Sequence, residues 1–345
     1  MSTSAASTGI IPVPVIRPPF NYVPTPDSPP DGNGYYVNIR VSPNSNPTGM
    51  LHTCLVDTGS CGIVVPQAVL YPDGNVLGPP LPGVTQGAAV TIPYQPSSED
   101  LSGFSYQVAQ LAIGADDNGC AFICENVTVV GVTNNQNPNE GMMGVGFGRP
   151  KAYGTNVLLQ APGVNPSYLL STAGIVLGYT AATLPAVGNF ALQQLQPDGA
   201  SWQTPAVAFA VSSGSGQTTC QGTALLDTGL NLMMIGFQDP GWEESFVGQK
   251  VTISWPGSGN TPIFTYGFTV TGTEMVKLGQ GSGLTKVYTI VGDSPALPKF
   301  IVPIGQKNLA AMPTNFVNTG INVIQAASFF YDSQAGVIGF AQQGG

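Results

Sequence analysis

Two aspartates stand in the same short turn. The stretch Leu55-Val56-Asp57-Thr58-Gly59-Ser60 reappears as Leu225-Leu226-Asp227-Thr228-Gly229-Leu230, with an apolar pair ahead of each Asp-Thr-Gly triplet. Two carboxylates brought close together do not ionise independently. They share a proton, so one acts as base while the other acts as acid. That is equipment for activating water against an amide. Gly59 and Gly229 allow a tight turn and the close approach of another chain segment, and Thr58 and Thr228 bring hydroxyls able to satisfy buried backbone groups. One such triplet is ordinary turn chemistry. The repeat, at corresponding places in the two halves of the chain, is what carries meaning.

Charge is scarce around these residues. Of 345 residues, 42% are hydrophobic and 8% charged, with nine Lys plus Arg against eighteen Asp plus Glu and a formal charge of −9. This is the composition of a folded chain, not a disordered one. With so little positive charge, nucleic acid and anionic membrane surfaces are excluded as partners. The uncharged stretch from Ala152 to Pro197 is broken too often by Gly, Pro and Asn for a membrane helix, and no signal peptide is visible at the N-terminus. His52 is the only histidine and reads as structural, not as part of a Ser-His-Asp or Cys-His set. Five cysteines lack the pairing that would hold zinc, so no metal and no organic cofactor is expected; Cys120 and Cys124 are spaced to close a small disulfide loop in an oxidising compartment.

The elements that must position the aspartates are strands. Residues 1–33 form a Pro/Ser-rich tail or edge strand. From residue 34 onward, short apolar or alternating runs such as YYVNIRV, LHTCLV, GIVVP, VTVVGV, AVAFAV and KVTISW are separated by Gly, Pro, Asn and Asp. Helical patterning is confined to Pro66–Leu70, Asn156–Gln160 and Lys307–Met312. The reading is an all-β chain in two similar lobes, residues 34–185 with the first triplet and residues 186–345 with the second.

At this point the chain resembles the pepsin-like aspartic peptidases, from Tyr35 to Ala341. YYVNIRV ahead of LVDTGS is similar to that family's first strand. GMMGVGF (Gly141–Phe147) resembles the two-apolar-residues-plus-Gly segment that completes the first active-site loop. GIVLGY, FALQQL and SWQTPAVAFAV resemble the passage into the second lobe, CQGTALLDTGL the approach to the second aspartate, and FFYDSQAGVIGFA the closing strand pair. The resemblance implies a bilobal pepsin-like fold and a monomeric endopeptidase. Asp57 and Asp227 would activate water and a polypeptide substrate would lie in the cleft between the lobes. It also implies a hairpin flap, for which VTIPYQPSSEDLSGFSYQV fits, with Tyr94 as the substrate-contacting tyrosine and Tyr106 as a poorer choice. The low charge and the expected disulfide favour a secreted or extracellular location, while the lack of a visible signal peptide leaves a cytoplasmic one open.

Three positions depart from the family pattern. Leu230 stands where the residue after the second triplet would donate a hydrogen bond as Ser60 does to Asp57. This unequal support places the charge of the pair on Asp57. Asn318-Thr319-Gly320 replaces the two apolar residues and Gly of the second lobe, and Val64 replaces a tryptophan. These departures leave two other readings open: a binding or inhibitory protein that keeps the fold without turnover, and a non-proteolytic enzyme using the same acid-base pair.

Overall fold

The computed structural model describes residues 9–16, 34–45, 49–93, 100–134, 140–147, 156–213, 216–239, 241–257, 261–278, 283–292, 296–305 and 314–342. The chain is all-β and divides into two compact units, Met1–Thr180 with Asp332–Gln334, and Ala181–Tyr331 with Ala335–Gly345. The return of residues 332–334 to the first unit has a local cause: Asn165 Nδ2 donates to Asp332 Oδ2 (2.9 Å), and Ser333 N donates to Pro166 O (3.0 Å).

The strands of the first unit are β1 (Ile11–Val13), β2 (Tyr35–Val41), β3 (His52–Asp57), β4 (Cys61–Pro66), β5 (Val84–Pro93), β6 (Asp100–Ile113), β7 (Phe122–Val132), β8 (Glu140–Val145), β9 (Asn165–Ser171) and β10 (Gly174–Gly178). Their main sheet runs β2-β3-β8-β4-β7-β6-β5, and β6 pairs back onto β2, which closes it into a barrel-like ring. Residues 11–13 of the Pro/Ser-rich segment form an edge strand on β10.

The second unit contains β11 (Ala191–Gln194), β12 (Pro197–Asp198), β13 (Ser201–Trp202), β14 (Ala206–Ser213), β15 (Gly216–Leu225), β16 (Met233–Gly236), β17 (Lys250–Pro256), β18 (Pro262–Lys277), β19 (Leu284–Val291), β20 (Phe300–Pro303), β21 (Asn315–Asn318) and β23 (Val337–Gln342), with β22 (Ala327–Asp332) ending where the chain returns. Strands β14-β15-β21-β16-β20-β19-β18-β17 close into a barrel. The alternation read from sequence is visible in β17, where Val251, Ile253 and Trp255 turn inward while Thr252 and Ser254 are only partly covered.

The two units repeat one plan. In the first, β3 leads into the Asp57 turn, β4 leaves it, and β8 lies between them, parallel to β3 and antiparallel to β4. In the second, β15, β16 and β21 stand in the same relation around Asp227. The match extends outward. Ile63 opposes Val129 and Val129 opposes Tyr106; Met233 opposes Ile301 and Ile301 opposes Tyr288. Both tyrosines are fully buried.

Helical turns are short 3-10 segments, including Gln67–Leu70, Val157–Gln160 and Ile321–Gln325. The first two fall on the expected stretches, and the third expected stretch, Lys307–Met312, lies outside the described residues. Among the described residues, no helix is long and apolar enough to cross a membrane.

The expected Cys120–Cys124 bridge is a correction: all five cysteines are free thiols. Cys124 lies on β7, buried, with its Sγ 3.5 Å from Val157 O, whereas Cys120 is exposed in the turn ahead of that strand. Burial pushes the Cys124 thiol up to about 12 and raises those of Cys54, Cys120 and Cys220.

His52 begins β3 and is buried, its Nε2 without a hydrogen-bond partner. Burial lowers its pKa from 6.5 to about 4, because imidazolium loses its water there. The unfolded chain takes up this proton near pH 6.5 and the folded chain only near pH 4. The stability of the neutral form is therefore complete above pH 6.5 and drains away as pH falls towards 4, by about 3 kcal/mol in all. Urea unfolding at pH 7 and pH 4.5 tests this: the unsubstituted protein is expected to lose about 2–3 kcal/mol more than His52→Val over that interval. Equal losses would assign the acid sensitivity elsewhere.

Candidate active site

Each aspartate is the last residue of an apolar path into its unit and is buried there, Asp57 at 5% and Asp227 at 6% exposure. A carboxylate so placed is costly unless donors replace its water. Both receive them. Gly59 N donates to Asp57 Oδ1 (2.6 Å) and Gly229 N to Asp227 Oδ1 (2.9 Å), the expected use of the two tight turns. Ser60 Oγ donates to Asp57 Oδ2 (2.5 Å). In the second unit that place is taken by Asn318 Nδ2, which donates to Asp227 Oδ2 (2.6 Å) from β21.

The expectation that Leu230 leaves Asp227 short of a donor is thereby corrected. Leu230 itself contributes only backbone: its N–H reaches Asp227 O (3.4 Å) and its carbonyl accepts from Ile321 N (2.8 Å), as Ser60 O accepts from Gly146 N (2.8 Å). The asymmetry that placed the charge on Asp57 has lost its basis. Asn318 was noted in the sequence only as a departure. Its role was hidden because the partner lies 91 residues away, and nothing local announces the register of β21.

Thr58 and Thr228 are both buried within their turns. Close approach explains the glycines of the neighbouring strand. A Cβ on Gly144 would stand 2.6 Å from Cys61 N and 2.7 Å from Ser60 Oγ, so β8 can lie against the turn only without a side chain there. In the second unit Gly320 has φ +64°, and a Cβ would meet Leu230 O at 2.9 Å. The NTG segment keeps the glycine that the turn demands.

The stretch expected to form a flap is the antiparallel hairpin β5–β6. Its tip, including Tyr94, lies outside the described residues. Val90, Ile92 and Leu101, towards the tip end of the hairpin, pack with Val64, Val130 and Val132, so Val64 supports that end of the hairpin with a small apolar surface. The same end of β6 is clasped: Ser102 O accepts from Thr133 N (2.9 Å) and Oγ1 (3.0 Å), Ser102 N donates to Asn134 Oδ1 (2.8 Å), and Asn134 Nδ2 donates to Asp100 O (2.9 Å). Tyr106 is a core anchor, 1% exposed. It accepts from Gln67 Nε2 (2.7 Å) and lies 3.2 Å from the Tyr71 hydroxyl. Burial, then the bond to Tyr71, pushes its pKa up to about 12.

No family model matches the chain, and no curated protein sequence matches it. The site therefore stands on its geometry.

Gly144→Ala tests the close approach of β8 to the first turn. Overpacking of this kind costs about 1–3 kcal/mol, and a lowered urea midpoint with unchanged slope is the expected result. An unaltered midpoint would show that the turn yields freely.

Proposed function

We propose that this protein is an aspartic endopeptidase of the bilobal pepsin-like type, in which Asp57 and Asp227 work as one acid-base pair. The observation that carries the reading is the duplicated Asp-Thr-Gly turn, in which both oxygens of each buried carboxylate accept hydrogen bonds. Carboxylates buried at such expense are the mark of groups kept for chemistry.

In the proposed reaction, water bound to the pair gives a proton to the ionised carboxylate as its oxygen attacks the scissile carbonyl carbon, and the protonated carboxyl donates to the carbonyl oxygen. The tetrahedral diol that results loses the amine when the amide nitrogen takes a proton from the pair, one diol hydroxyl returns a proton to the pair, and the C–N bond breaks as the carbonyl reforms. A new carboxyl group and a new amine leave, and the pair returns to its single shared proton. The Asp dyad supplies both proton transfers without drawing on another group. The substrate is an extended polypeptide with apolar side chains about the cut bond, since few charges are available to recognise others. An extracellular location rests on the low charge alone, the thiols being free. The alternative of a binding protein drew its support from Leu230 and from the Asn318-Thr319-Gly320 segment; Asn318 weakens both supports by giving Asp227 the donor that Leu230 lacks, and Gly320 keeps the glycine at the turn.

The test is cleavage of an unfolded protein from acid to neutral pH. Asp57→Asn, Asp227→Asn and treatment with the aspartic-peptidase inhibitor pepstatin are each expected to reduce kcat/KM roughly 100-fold or more. A folded protein that cuts nothing at any pH would favour the binding reading, and cleavage undiminished in both variants would locate the chemistry elsewhere.

A further inference from the structure

Both turns bring a side-chain donor to the second carboxylate oxygen, and they do so by exchanging the positions of donor and apolar residue. Leu55 lies opposite Met142 in the parallel pair β3–β8, and Leu225 lies opposite Asn318 in the parallel pair β15–β21, each leucine two residues ahead of its aspartate. The antiparallel pairs agree: Val64 opposes Met142 and Met234 opposes Asn318, each seven residues after its aspartate. Met142 and Asn318 therefore occupy corresponding positions, as do Ser60 and Leu230. In the first unit the loop carries the donor and the strand carries the thioether, whose Sδ lies 3.5 Å from Ser60 Oγ. In the second unit the loop carries the apolar side chain and the strand carries the donor.

The two donors differ in kind. A serine hydroxyl both donates and accepts, and it rotates to suit its neighbour. The Asn318 amide is held: its Oδ1 accepts from Gly320 N (3.0 Å), which leaves Nδ2, a donor only, directed at Asp227 Oδ2. Asn318 is itself 5% exposed. Ser60 thus adapts to a carboxylate or to a carboxylic acid, whereas Asn318 favours the carboxylate.

We propose that Asn318 is the positioning residue of the second turn, holding Asp227 as the charged member of the pair and leaving the exchangeable proton to Asp57 beside the reversible hydroxyl of Ser60. This rests on the peptidase reading for its catalytic consequence, and on the geometry of the second unit alone for the contact. Among the segments around Asp227, residues 228–232, β16, β21 and Ile321–Gln325 carry no other acid or base, and β15 carries only Cys220. Around Asp57 the corresponding groups are His52 and Cys54 on β3, Cys61 on β4 and Glu140 on β8.

The experiment combines carboxyl 13C NMR with kinetics. In the unsubstituted protein, the Asn318 side-chain amide protons are expected to shift with the same midpoint as the Asp227 carboxyl, and a flat amide signal would overturn the contact. Asn318→Met, which installs the residue of the corresponding first-unit position, is expected to move the Asp227 midpoint upward by about one pH unit or more. It should also lower kcat at least tenfold with little change in KM, and carry the acid limb of the rate profile upward. Leu230→Ser combined with Asn318→Met, which rebuilds the first-unit arrangement, is expected to recover most of both, while Leu230→Ser alone changes little. Unaltered titration and rate in folded Asn318→Met, or no recovery in the double variant, would overturn the proposal. If the unsubstituted protein cleaves nothing, the peptidase reading falls, and the two NMR titrations still decide the role of Asn318.

Discussion

The arrangement of each unit depends on one requirement: a carboxylate at the inner end of an apolar strand must have both oxygens satisfied by donors. A hydrogen bond to a charged group contributes about 1.5–3 kcal/mol, and an unmet one costs more because the charge has already left water. The first donor is local, the amide two residues on, and any tight Asp-Thr-Gly turn supplies it. The second must be brought. In the first unit it comes from the next side chain of the same loop, and in the second from a strand far away in sequence.

The strand that lies between the two arms of each turn follows from the same requirement. Strands β8 and β21 are parallel to the strand that leads in and antiparallel to the strand that leads out, so each presses on the turn from within its own sheet. That proximity forbids a side chain at Gly144 and requires positive φ at Gly320. It also places one side chain, Met142 or Asn318, beside the carboxylate. The architecture thus offers two sites from which a donor can reach the second oxygen, and the two units use one each.

Around the turns, most of the structure is hydrophobic packing with few ionisable exceptions. His52, at the start of the strand that ends in Asp57, is the exception with a consequence. Its neutral form is the one the core accepts, so burial of the strand that bears the first aspartate is sensitive to acid. The acid-base pair proposed above would, in acid, have to work against the protonation of this histidine.

The chain's own residues were enough to indicate strands, two similar units, two aspartate turns with their glycines, and the helical turns after Pro66 and Asn156. These are local matters: apolar alternation, turn residues and a repeat are written within a few neighbouring positions. Tertiary structure alone decided that Cys120 and Cys124 stay apart, that Tyr106 is an anchor of the core, and that Val64 packs beneath the tip end of the hairpin. It alone turned Asn318 from an irregularity into the partner of Asp227. The reason is register: which side chain reaches a buried carboxylate is settled by how β21 slides against β15 and β16, and a slip of one residue would point Asn318 to the opposite face.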